Sequence, residues 1–108
     1  MSVKRLNVTF ITILLLVSFS ANARAEEKQI HIGVLAIWGK TVAQRMWQPT
    51  IDYLNKTIPG NKFILRPLNL KETTIVTEEK SIDFIITNPG NYINLATQFG
   101  ISRLATLK

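Results

Sequence analysis

One stretch constrains the fold of this 108-residue chain more than any other: Ile82-Asp83-Phe84-Ile85-Ile86-Thr87-Asn88-Pro89-Gly90-Asn91-Tyr92. Its first half is a short, almost continuous apolar run, the pattern of a buried strand in a parallel sheet. Its second half starts a helix. Asn88 is a favoured N-cap, and Pro89 falls at the first helical position, where its missing N–H costs nothing. Gly90 and Asn91 follow with backbone N–H groups that the first turn of a helix leaves without intrahelical partners. A strand running through a tight turn into a helix N-terminus can receive an anion or a polar ligand head. The same Asn-Pro-Gly run also serves as plain turn punctuation.

The pattern on either side repeats this alternation. Residues 29–37 are β-rich and apolar, and Trp38-Gly39-Lys40 breaks the run. Thr41 with Gln44 has capping-box spacing, which predicts a helix to about Thr57. Ala43, Met46, Trp47, Thr50, Ile51 and Leu54 form its apolar face, and Pro49 is expected to kink it. After Pro59-Gly60, residues 62–68 read as a second strand. Asn69 with Glu72 repeats the capping-box spacing and predicts a short helix over residues 70–80. The strand and helix of the opening stretch follow, with Tyr92, Leu95, Ala96 and Phe99 as a stripe and Gly100 as C-cap. Residues 101–107 are expected to begin a fourth strand.

Strands alternating with helices define an open, mainly parallel α/β sheet with right-handed crossovers. Ligands of such sheets sit beyond the carboxyl ends of the strands, where the strand order reverses. Trp38-Gly39-Lys40, Asn69-Leu70 and residues 87–92 leave those ends, and all three carry polar or aromatic groups.

The N-terminus has a different logic. Lys4 and Arg5 precede an apolar run over residues 8–19, and Ala23-Arg24-Ala25 supplies small residues at the right spacing for cleavage. This is the order of a secretory signal peptide over residues 1–25, which predicts a periplasmic product, membrane-anchored only if the signal stays uncleaved. The run is shorter than the roughly 18 to 20 apolar residues of a membrane span. Taking Lys4, Arg5 and Arg24 from the 13 basic residues leaves 10 against 7 acidic ones, a net charge of +3 instead of +6. The remaining basic residues are scattered, with no cluster or helix face that would grip nucleic acid.

Three sets of residues resemble a known family: Ile32-Gly33-Val34-Leu35-Ala36; Trp47-Gln48-Pro49-Thr50 with Tyr53-Leu54-Asn55; and Asp83 to Tyr92, with its Asp-Phe-x-x-Thr-Asn-Pro-Gly-x-Tyr pattern. They look like the start of a phosphonate-type periplasmic binding domain, and Arg103-Leu104-Ala105-Thr106-Leu107 fits the same group. More narrowly, they resemble the extracytoplasmic sensor region of tetrathionate-sensor-type histidine kinases. The resemblance covers residues 29–108. It implies a type II binding-protein fold that closes a solute between two lobes, with residues 26–108 as the first part of lobe one. A second lobe, and a membrane kinase or a transporter permease, would then be the partners. A phosphonate- or phosphate-type transporter component is the alternative function, and a truncated reading frame without ligand function is another.

On this reading Thr87, Asn88, Gly90, Asn91, Tyr92, Trp38 and Lys40 are the ligand-binding residues, and the expected solute is a small oxyanion. Each has a plainer role beside it. Thr87 either donates a hydroxyl to the ligand or ends a strand. Tyr92 either closes over a ligand or packs in the core. Lys40 is either a counter-charge or a solvated lysine. Trp38 is the aromatic wall, and His31 is expected to be structural.

Catalysis finds no constellation to work with. The chain has no cysteine and one histidine, so thiolate chemistry, disulfides and histidine-pair metal sites are excluded. His31 lies at the other end of its strand from the loops named above, and the carboxylates show no pairing pattern. Neither the Walker pattern nor Gly-x-Gly-x-x-Gly occurs. No cofactor is expected.

Overall fold

The computed structural model describes residues 26–106; the expected export signal at residues 1–25 lies outside the described residues, as do residues 107–108. The described elements are β1 (Lys28–Leu35), α1 (Lys40–Thr57), β2 (Asn61–Leu68), α2 (Leu70–Glu78), β3 (Phe84–Ile86) and α3 (Pro89–Phe99). The strands form one parallel sheet in the order β2-β1-β3, with Ile32 opposite Leu65 on one side and Phe84 on the other. This is the expected open, parallel α/β sheet.

Both faces of β1 are covered, so Ile32, Gly33 and Val34 are all buried. One face carries the cluster of Ile32, Ile51 and Phe63, to which Ile30, Leu54, Leu65 and Ile86 add their side chains. Ile51 and Leu54 belong to α1. The chain moves from β1 out to β2 and then back across β1 to β3. Right-handed crossovers in opposite directions place α1 and α2 on opposite faces. On the α2 side, Gly33 lets the layers approach closely. A Cβ there would lie 2.8 Å from Leu68 Cδ1 and 3.1 Å from Ile82 Cδ1.

The outer edge of β2 is occupied. The Asn55 side chain donates from Nδ2 to the Phe63 carbonyl at 3.0 Å and accepts from the Phe63 N–H at 2.7 Å. One amide thus imitates a neighbouring strand for that residue and fastens α1 to the sheet.

Several local expectations need correction. The helix after β1 does not start from a Thr41–Gln44 capping box. Gly39, with φ of 100°, holds the N-cap without a side-chain bond, and Gln44 donates instead to Gln48 along the helix. Its buried face is narrower than the spacing implied, because Met46 is 61% exposed and Thr50 is exposed too. Helix α1 leans towards β2, where Asn55 holds it, and its other flank stays open.

Helix α2 stops at Glu78 because Lys80 adopts a left-handed conformation, φ 56°. Lys80 N–H then reaches the Thr77 carbonyl and Ser81 N–H the Val76 carbonyl, the paired bonds of a Schellman motif. β3 is not the fully buried strand its composition implied. It is three residues long, and Phe84 is 47% exposed at the margin of the described sheet. Residues 101–106 form no strand, since apolar composition makes a ladder only where a partner offers its backbone groups.

Candidate functional site

The strands are parallel, so the segments that follow β1, β2 and β3 leave the sheet at one edge. The strand order reverses at β1, the place where open α/β sheets hold ligands. Residues 36–40, Asn69 and residues 87–91 make up this edge.

The turn after β3 follows its local chemistry closely. Asn88 is the N-cap of α3 (φ −83°, ψ 165°), and Pro89 and Gly90 open the helix. Asn88 Oδ1 accepts the Asn91 backbone N–H at 2.8 Å, and the Asn88 carbonyl accepts from Tyr92 N–H at 2.9 Å. The Asn91 N–H is therefore already used by the cap. Gly90 is exposed, and an added Cβ would meet only Asn88 Oδ1, at 3.8 Å. Its backbone can be approached from solvent.

Asn91 lies inward. It is 6% exposed, and its Nδ2 donates to Thr73 Oγ1 at 3.1 Å and to Thr87 Oγ1 at 2.9 Å. Thr73 is fully buried in α2 and spends its hydroxyl proton on the Leu70 carbonyl at 2.6 Å. This polar cluster joins α2, the end of β3 and the first turn of α3. Tyr92 is half-buried on α3, and Thr87 is half-buried at the strand end.

At the other side of the edge, Trp38 is 80% exposed. Lys40 is exposed but not free, because its Nζ stands 2.7 Å from Glu72 Oε1 and 3.0 Å from Oε2. Glu72 is also the reciprocal member of the Asn69 capping box, taking the Asn69 N–H at 3.1 Å while Asn69 Oδ1 takes the Glu72 N–H at 2.8 Å. The Lys40 ammonium, and after it the Asn69 N–H, hold the Glu72 carboxyl below its ordinary range. Lys40 and Glu72 thus tie the starts of α1 and α2 together at the sheet edge.

Of the seven expected ligand residues, Asn88, Gly90 and Trp38 are exposed, Thr87 and Tyr92 half-buried, Asn91 buried and Lys40 paired. Two surface grooves run along α1, one past Lys40, Arg45 and Pro67 and the other past Trp38, Val42 and Met46. Neither reaches residues 87–90, which form one wall of an edge open to solvent. Sequence reasoning passed over Thr73, and it read Glu72 as a cap partner without its pairing to Lys40. Thr73 left a signal: it lies three residues before the apolar Val76 on the buried side of α2, where a polar side chain needs a partner. Among the described residues no group of histidine, cysteine, aspartate or glutamate side chains could hold a metal ion, and no helix is long and apolar enough to cross a membrane.

No protein-family profile and no solved structure matches the chain. A similarity does exist to the tetrathionate sensor histidine kinase TtrS of Salmonella typhimurium (strain LT2), 31% identical over 78 residues. The matched stretch is 72% of this chain and 13% of the length of that kinase. The chain is thus, over most of its length, a region related in sequence to part of a sensor histidine kinase.

Proposed function

We propose that residues 26–106 contribute one wall of an extracytoplasmic solute-recognition site, of the kind that a sensor kinase uses to detect a small oxyanion. The similarity to TtrS over 72% of the chain carries this reading. The geometry that supports it is the shared strand-end edge, where Thr87, Asn88 and the Gly90 backbone present polar groups to solvent. The role is recognition, not catalysis. In a full receptor the opposite wall would come from a second lobe, and solute held between the walls would favour the closed arrangement.

Thermal-shift titration of the 108-residue chain with tetrathionate, thiosulfate, sulfate and phosphate tests the reading. An anion that binds only the native state stabilises it by about 2.7 kcal/mol at a hundred times its Kd. Asn88→Asp and Asn88→Ala form the informative pair. Both remove the amide N–H donors, but aspartate keeps the cap on Asn91 N–H, whereas alanine loses it at a cost of about 1 kcal/mol. A role for the Asn88 amide in recognition predicts a weaker anion response in both variants, with the ligand-free protein destabilised only in the alanine variant. An unchanged melting temperature with every anion counts against the proposal.

A further inference from the structure

We propose that Asn91, held by Thr73, is a positioning residue that leaves the Thr87 hydroxyl proton free to donate to a hydrogen-bond acceptor at the end of β3, such as an oxyanion oxygen. This deepens the recognition reading above and rests on it.

Proton accounting fixes the direction. Thr73 has one hydroxyl proton, and the Leu70 carbonyl takes it at 2.6 Å. Thr73 Oγ1 can then only accept, so the Asn91 atom that faces it must be Nδ2 and not Oδ1. The other N–H of the same Nδ2 points to Thr87 Oγ1 at 2.9 Å. Thr87 cannot donate back to that nitrogen. Its oxygen accepts from Asn91, and its proton is left for a partner outside the cluster. Among the described residues, no hydrogen bond uses that proton. Asn91 and Thr73 are buried and cannot rearrange cheaply, because flipping the amide would leave Thr73 Oγ1 and Asn91 Oδ1 facing each other without a proton.

Two measurements test this on the 108-residue chain. In the ligand-free protein, both Asn91 side-chain N–H protons should exchange slowly by NMR, and Thr87→Val should release one of them while the proton bonded to Thr73 stays protected. Fast exchange of both protons in the wild-type protein overturns the orientation. In the second measurement, tetrathionate, thiosulfate and phosphate are titrated by calorimetry into wild type, Thr87→Ser, Thr87→Val and Asn91→Asp. Serine should retain affinity, and valine should lose about tenfold or more, as for a hydrogen bond to a charged group. Asn91→Asp should lose a similar factor at a temperature where it remains folded, because its carboxylate draws the Thr87 proton inward. Wild-type affinity in Thr87→Val overturns the inference while leaving the recognition reading intact. Failure of the wild-type chain to bind any of the three anions overturns both.

Discussion

Asp83 and His31 are joined by two hydrogen bonds: the Asp83 carboxylate accepts the His31 N–H at 2.7 Å, and the His31 carbonyl accepts the Asp83 N–H at 3.0 Å. The pair lengthens the junction between β1 and β3 ahead of a strand that is only three residues long. Asp83→Ala is expected to cost about 1 kcal/mol, the net value of a surface hydrogen bond, read as a lower urea midpoint with an unchanged slope. Among the described residues, the buried His31 Nδ1 has no partner. His31→Phe removes that unpaired atom without touching the backbone pair, and should leave stability equal or slightly higher.

The tie between Lys40 and Glu72 gives stability an acid-sensitive component. The Glu72 carboxyl is lowered in the folded chain, first by Lys40 and then by the Asn69 N–H, so folding favours the charged form. Its contribution is fully present above the unfolded-state pKa and is lost as pH falls through the depressed folded value. Melting curves from neutral pH down to pH ~3 should therefore fall less steeply for Glu72→Gln than for wild type. Parallel curves for the two proteins would show that the pair contributes nothing to stability.

Lys80 occupies the left-handed position that closes α2, where a side chain is strained and glycine is not. Lys80→Gly should stabilise the chain by about 1 kcal/mol, whereas Lys80→Ala, which keeps the Cβ, should change little. Paired chemical denaturation of the two variants checks this.

Gly33 predicts the opposite sign. Leu68, only 3% exposed, fills the space where a Cβ would go. Gly33→Val should cost roughly 1–3 kcal/mol through overpacking. Alanine should cost less, because the crowding atoms are the ends of the Leu68 and Ile82 side chains and can give a little.

What the sequence made legible is mostly what local chemistry decides. Asn88 ahead of Pro89, Asn69 three residues before Glu72, and Gly100 after Phe99 each act within one helical turn, and each is where the spacing put it. The Thr41–Gln44 spacing looked the same, but a glycine able to adopt a positive φ began the helix earlier. Asn91 was readable in principle, since an N-cap side chain takes the N–H of the second or third helical residue. Its link to Thr73 was not, because it spans 18 positions and depends on how α2 and α3 meet. The same limit applies at residues 101–106, where apolar composition says nothing of whether a partner edge lies within reach.

The amide of Asn55 gives this small sheet a handedness of assembly. With that side chain seated on Phe63, a newcomer strand approaching from β2 would have to evict an anchored group before it could pair there. Beside β3 no such plug stands among the described residues. Any strand added to this sheet would accordingly pair beside Phe84, on the side where Thr87 and Asn88 lie.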